Sequence, residues 1–238
     1  MKKLLLLIAL VFSVVWGNAQ KIKAFTLSGG YVRADHNMKF DGTFQPLTTN
    51  PINSWGLDAG LEFWRTPVFS FSTSVGMIKK GYNYDIAVTT VTQPEGTGEV
   101  IEGRARLNYL YLAPRFAVKL SSKKIVPYVF IVPRTDVFLY SSHTLHTNDG
   151  SKITDDGSFG GFRDFYKKNH RAVLLGVTSG AGLEIKIHKN ISAGIEAAYL
   201  VDITPAVRTA TTSNSVGMKA YNNAFSASLV FKHYFGKE

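Results

Sequence analysis

The sequence predicts a closed antiparallel up-and-down transmembrane β-barrel of about eight strands, preceded by a cleaved signal peptide. Three observations lead there: a secretory N-terminus, strict two-residue alternation in several segments, and short turns that alternate with long polar connections.

The N-terminus sets the expected compartment. Lys2 and Lys3 form a short basic region, and Leu4 to Trp16 are almost unbroken in apolar character. Gly17-Asn18-Ala19 follows with the small residues a signal peptidase accepts, leaving Gln20 or Lys21 as the new end. The apolar run is too short for a comfortable spanning helix, so residues 1–19 are expected to be a cleaved signal and residues 20–238 the barrel domain. Cleavage removes two lysines and lowers the formal charge from +10 to +8. The chain has no cysteine, which excludes anchoring through a lipidated cysteine, disulfide staples and thiolate metal sites. Mean hydropathy is +0.01, the average expected where lipid-facing apolar residues alternate with polar lumen residues. A soluble protein gives the same average, so periodicity has to choose.

The clearest strand runs from Asn53 to Arg65. Trp55, Leu57, Ala59, Leu61 and Phe63 lie on one face; Gly56, Asp58, Gly60 and Glu62 lie on the other. Leu174 to His188 repeats the pattern, with Leu175, Val177, Ala181, Leu183, Ile185 and Ile187 opposite Gly176, Thr178, Gly180, Gly182, Glu184 and Lys186. A tight His188-Lys189-Asn190 turn leads into Ile191, Ala193, Ile195, Ala197, Tyr199 and Val201, which alternate with Ser192, Gly194, Glu196 and Asp202. Further strands are expected over Ile22–Val32, Val68–Lys79, Leu107–Leu120, Val126–Tyr140 and about Lys219–Phe235. Reversals near Thr66, Ser122 and Lys189 are short. Those spanning Ala34–Ile52, Gly81–Arg106, Ser141–Arg171 and Thr204–Met218 are long and polar, and these are expected outside the cell.

Leu107-Asn108-Tyr109-Leu110-Tyr111-Leu112-Ala113-Pro114 resembles the "YLxxP" strand of the PorT-like outer-membrane β-barrel family common in Bacteroidetes. Val126-Pro127-Tyr128-Val129 is similar to that family's following "PY" strand. The spaced glycines of Gly176 to Glu184, the aromatic last strand and the signal ending Asn-Ala-Gln also fit. Ile131-Val132-Pro133-Arg134 departs from the family's usual Gly-Pro step. The resemblance implies barrel membership; a role in protein secretion does not carry over with it.

Chemistry-bearing residues concentrate on the inward face. Asp58, Glu62, Glu184, Glu196 and Asp202 share it, with Arg115, Lys119, Arg134, Lys186 and Lys232 as counter-charges. A barrel of about eight strands is only wide enough for side chains to fill, so these charges are expected to pair in a structural lumen network. A second set, Arg163, Lys167, Lys168 and Arg171, with His170 among them, is a basic patch expected to face lipopolysaccharide phosphates. His143, His146 and His170 occur near Ser141, Ser142 and Asp164, but a nucleophilic centre needs serine, base and acid within hydrogen-bond reach, which loop composition gives no reason to expect. His143-Thr144-Leu145-His146, with Asp149, Asp155 and Asp156, has metal-binding residue types that any solvated loop also uses. No catalytic, metal or cofactor site is therefore assigned.

The expected partners are outer-membrane lipid and lipopolysaccharide, the barrel-assembly machinery that reads a last strand ending in Phe231, Tyr234 and Phe235, and other envelope or secretion proteins. Nucleic acid is not among them, because the signal directs the chain out of the cytoplasm. Two alternatives stay open: a narrow solute or ion channel, and a soluble periplasmic ligand-binding barrel whose apolar face points inward.

Overall fold

The computed structural model describes residues 22–40, 49–87, 100–121, 123–146, 152–154, 169–209 and 218–235. The expected signal segment, 1–19, lies outside them. Eight long strands make the wall: β1 (Ala24–Phe40), β2 (Thr49–Arg65), β3 (Phe69–Ala87), β4 (Val100–Lys119), β5 (Ile125–His146), β7 (Val173–His188), β8 (Ile191–Asp202) and β10 (Met218–Tyr234). Two short strands, β6 (Lys152–Thr154) and β9 (Val207–Thr209), pair with β5 and β10 at the long-loop end.

Each wall strand pairs antiparallel with its neighbours, and β1 pairs with β10, so the sheet closes on itself. Short reversals at 66–68 and 189–190, and the ends of a third at 120–121 and 123–124, share one rim, as the sequence predicts. Closure leaves no bare edge among the wall strands, which is what a barrel in hydrocarbon requires of its backbone.

Alternation then sorts the side chains. Leu57 (51 % exposed), Ile195 (56 %) and Leu229 (71 %) point outward, together with Trp55 and Leu183. Phe63, also expected on this face, is half-buried beside Phe71, their ring centroids 6.4 Å apart. A register shift between Glu62 and Trp64 lets Trp64 face outward as well. Exposed aromatics edge the band: Tyr31, Trp55, Tyr140, Tyr199 and Phe225 towards the long loops, Trp64, Phe69, Phe116, Phe231 and Phe235 towards the short turns. An apolar belt between aromatic girdles is the outer surface of a barrel that contacts lipid.

The strands run further than the sequence reading placed them. β1 continues past Val32 to Phe40, β3 past Lys79 to Ala87, β5 past Tyr140 to His146, and β4 starts at Val100 rather than Leu107. The expected long loops shorten accordingly. In these extensions the alternation keeps its period but reverses its sense. Arg33, Asn53, Asp85, Glu102, Arg104 and Arg106 are exposed, while Ala34, Ile52, Tyr82, Tyr84, Ala105 and Leu107 are buried in one core cluster. Above the apolar belt the outer face meets water and the inner face packs as an ordinary hydrophobic core. Polar composition there marks the end of the membrane, not the end of the strand.

Placing arginine midway along the outer band in Leu183→Arg or Ile195→Arg is expected to cost about 2–4 kcal/mol. Denaturant titration of the barrel refolded in vesicles checks this; unchanged midpoints for both variants contradict the outward assignment.

Candidate functional site

The inward faces build three charged layers below the apolar core. Nearest the short turns, Lys232 Nζ donates to Glu62 Oε2 at 3.1 Å and Glu184 Oε2 at 3.2 Å. Tyr234 OH donates to Glu184, and Ser192 Oγ lies 3.2 Å from the same hydroxyl. The Arg65 guanidinium lies 3.9 Å above the Tyr234 ring. Lys119 is buried and faces this layer, attracted by Glu62 and Glu184 and opposed by Arg65 and Lys232.

In the middle layer Arg115 grips Glu196 with both nitrogens, Nη2 to Oε1 at 2.6 Å and Nη1 to Oε2 at 3.2 Å. Tyr128 OH donates to Glu196 Oε1 at 2.6 Å, and the guanidinium packs 3.9 Å from the Phe130 ring centre. Asp58 Oδ2 accepts from Ser28 Oγ at 2.5 Å and Tyr111 OH at 2.9 Å. Beside these groups is a cavity of about 100 Å³ lined by Ser28, Asp58, Ser74, Thr178, Ser226 and Ser228. That is room for a small water cluster among polar partners.

The upper layer is the densest. Lys80 Nζ donates to Asp136 Oδ2 and Asp202 Oδ1, both at 2.8 Å. Arg134 donates from Nε to Asp136 Oδ1 at 2.6 Å, from Nη2 to Asp202 Oδ1 at 2.8 Å and from Nη1 to Thr178 Oγ1 at 2.9 Å. Two cations and two carboxylates balance. Gly176 sits against this group, and a Cβ there would come within 2.9 Å of Arg134 Nη2. From Asp202 a polar chain continues upward: Asn222 Nδ2 donates to Asp202 Oδ2 at 2.8 Å and to Tyr109 OH at 3.2 Å, and His36 Nδ1 meets Asn222 Oδ1 at 2.7 Å. His170 Nδ1 lies 2.8 Å from the Arg171 carbonyl, which makes it the donor there, so Nε2 accepts from Tyr109 OH at 3.0 Å. The His170 ring stacks on Phe138 at 3.9 Å. Burial holds the His170 imidazole down at about 4, against its ordinary 6.5.

Above this layer the lumen is mainly apolar, although His36 and His143 are buried there as well. Ala206 and Val207 are fully buried, tied in by Arg171 N to Ala206 O at 2.9 Å and Ala206 N to Ala220 O at 2.7 Å. They complete the core formed by Tyr82, Tyr84, Leu107 and Leu174.

Of the residues expected in the lumen, Asp58, Glu62, Arg115, Lys119, Arg134, Glu184, Glu196 and Asp202 occupy these layers, and Lys232 joins two of the carboxylates. Lys186 has the inward parity but is half-buried near the short-turn rim. Lys80, Asp136 and Asn222 belong to the network without being among the residues the sequence assigns to it. Lys80 and Asn222 fall on inward positions of β3 and β10, and the strand the sequence predicts over Val68–Lys79 ends one residue short of Lys80. Lys80 is the next member of the inward Ser70, Ser72, Ser74, Gly76, Ile78 series.

Of the expected basic patch, Arg163, Lys167 and Lys168 lie outside the described residues, as does Asp164. Arg171 is half-buried at the mouth, where its backbone holds the inward-folded segment. The His143–His146 stretch is strand, not loop: His143 is buried in the lumen, whereas Ser142 is exposed on the other face. Two-residue alternation also sets positions 143 and 146 on opposite faces, which removes the geometric basis for that histidine pair as a chelate.

No protein-family model matches the chain, and no curated protein matches it. Solved structures similar to it include the outer-membrane protein OprG of Pseudomonas aeruginosa, with 10 % identity, 90 % of this chain and 97 % of that chain covered, and a TM-score of 0.47. Neisserial surface protein A has 10 % identity, 89 % and 99 % coverage and a TM-score of 0.42. Ail of Yersinia pestis has 12 % identity, 89 % and 99 % coverage and a TM-score of 0.36. These likenesses are of general barrel architecture and extend to no ligand or activity.

Lys80→Met leaves Asp136 and Asp202 with Arg134 as their one remaining cation in this layer, and is expected to destabilise by about 3–5 kcal/mol. Removing a carboxylate with it, in Lys80→Met/Asp136→Leu, is expected to cost less; denaturant titration of both decides. For His170 the folded state binds its proton less readily than the unfolded chain. Its contribution is therefore complete above its unfolded value of 6.5 and is lost as pH falls towards about 4. Thermal unfolding in detergent across that window is expected to fall more steeply for the unaltered chain than for His170→Gln.

Proposed function

We propose that the chain is an integral outer-membrane β-barrel with a structural, binding or envelope-assembly role, and that it is not an enzyme. The observation that carries this reading is the pairing of an apolar, aromatic-edged exterior with a lumen filled by mutually bonded charges. Such an exterior is unfavourable in water at this extent, and such an interior is not a cleft open to substrate.

Membership of the PorT-like group is part of the proposal. It rests on the Tyr109-Leu110-Tyr111-Leu112-Ala113-Pro114 stretch, whose two tyrosines serve the lumen network while Leu110 faces outward. The proposed partners are outer-membrane lipid, lipopolysaccharide at the long-loop rim, the assembly machinery that inserts barrels, and other envelope or secretion proteins. A secretory signal over residues 1–19 would provide the route.

Fractionation tests the compartment: the protein is expected in the detergent-extracted outer membrane, and its appearance in a detergent-free periplasmic extract contradicts the reading. Planar-bilayer recording of pure refolded protein tests the channel alternative. Three charged layers beneath an apolar core obstruct the lumen, so no resolved conductance steps are expected.

A further inference from the structure

We infer that the short-turn rim is a collar that binds the phosphate headgroups of anionic phospholipids in the periplasmic leaflet. The inference rests on the membrane-barrel reading and adds a ligand class to one rim. Lys23, Lys123, Lys124 and Lys189 are all exposed at this end. The carboxylates at the same end, Glu62 (1 % exposed) and Glu184 (4 %), turn into the lumen, where Lys232 binds both. Among the described residues, the outer face of this rim therefore presents cations and no carboxylate. The opposite end is mixed, with exposed Asp85 and Glu102 beside Arg33, Arg104 and Arg106. The asymmetry is thus a property of one rim, not of a basic chain at large.

Position along the membrane normal selects the ligand. Lys123 and Lys124 lie between the outward-facing Leu120 (66 % exposed) and Ile125 (55 %), and Lys189 follows Ile187 (64 %) by two residues. Those apolar groups belong to the lipid-facing belt, so the ammonium groups one turn away stand at headgroup depth. Phe69, Phe231 and Phe235, exposed at the same end, mark the same boundary. A long aliphatic stem beside hydrocarbon with its charge at the interface is the favoured setting for lysine. Each such lysine near an anionic surface contributes about 1 kcal/mol, roughly fivefold in occupancy.

The test uses the full barrel refolded into nanodiscs containing equal phosphatidylcholine and phosphatidylglycerol, with retained lipids counted by native mass spectrometry. The expected result is several-fold more phosphatidylglycerol than phosphatidylcholine on the unaltered protein. The preference is expected to drop part-way in Lys189→Gln and to near parity in Lys23→Gln/Lys123→Gln/Lys124→Gln/Lys189→Gln. Arg33→Gln/Arg104→Gln/Arg106→Gln, at the other rim, is expected to keep it. Equal retention on the unaltered protein overturns the collar, as does a preference untouched by the lysine changes. So does loss of the bound lipid to inorganic phosphate or an acidic peptide at matched ionic strength, since either would make a soluble anion the better ligand. Heat-modifiable migration after refolding in phosphatidylcholine alone reports barrel insertion separately. Failure there would strike the membrane reading, while insertion without lipid preference would strike only the collar.

Discussion

Pairing between β1 and β10 runs from Ala24 opposite Tyr234 to Phe40 opposite Met218, and through it the first and last wall strands become neighbours. Once the ring is closed, no wall strand has a free edge, and each residue must choose between an outer and an inner face. A one-residue slip anywhere would exchange the two faces of that strand. The registers avoid this cost: Ala227 opposes Ala197, which opposes Ala181, and Leu229 opposes Ile195, which opposes Leu183, so like faces meet across β10, β8 and β7.

What fills the inner face changes with height. At the level of the apolar belt it holds Arg115, Glu196, Asp58 and the serines, because the exterior there is already hydrocarbon and the strand alternation delivers polar groups to the lumen. Above the belt the exterior is water and the interior becomes Tyr82, Tyr84, Leu107 and Leu174. The barrel is thus a membrane segment with a polar centre joined to a short water-exposed segment with a greasy one. The Lys80, Arg134, Asp136 and Asp202 group lies where the two meet. Buried charges of this kind add little net stability by themselves, but an unmatched member is costly, so the set discriminates strongly against misregistered closure. Four strands, β3, β5, β8 and β10, must be in register for Lys80, Arg134, Asp136, Asp202 and Asn222 to meet.

The same arrangement bears on transport and on lipid contact. Salt bridges that satisfy each other leave few free polar groups to replace the hydration of a passing ion, and the core above is mainly apolar. Charge that the lumen does not consume is displaced to the rims. At the short-turn rim Lys232 takes up the two carboxylates inside, which leaves lysines as the charged groups of the outer edge among the described residues.

Alternation by itself determined much of this chain: the strands around Trp55, Leu183 and Ile195, their outward residues, and most of the lumen charges are readable because period two needs no knowledge of neighbours. The short turns at 66–68, 120–124 and 189–190 were equally legible from their length and residue types. Strand ends at the other rim were not. Asn83, Asp85, Glu102 and Arg104 have loop composition, and only the closed wall shows that they are the wet face of strands whose partners are Tyr82, Tyr84 and Ala105. Which charge meets which was likewise undecided in the sequence. Lys80 and Asp202 are separated by 122 residues, and their 2.8 Å contact exists only because the ring brings β3 and β8 to face each other across the lumen.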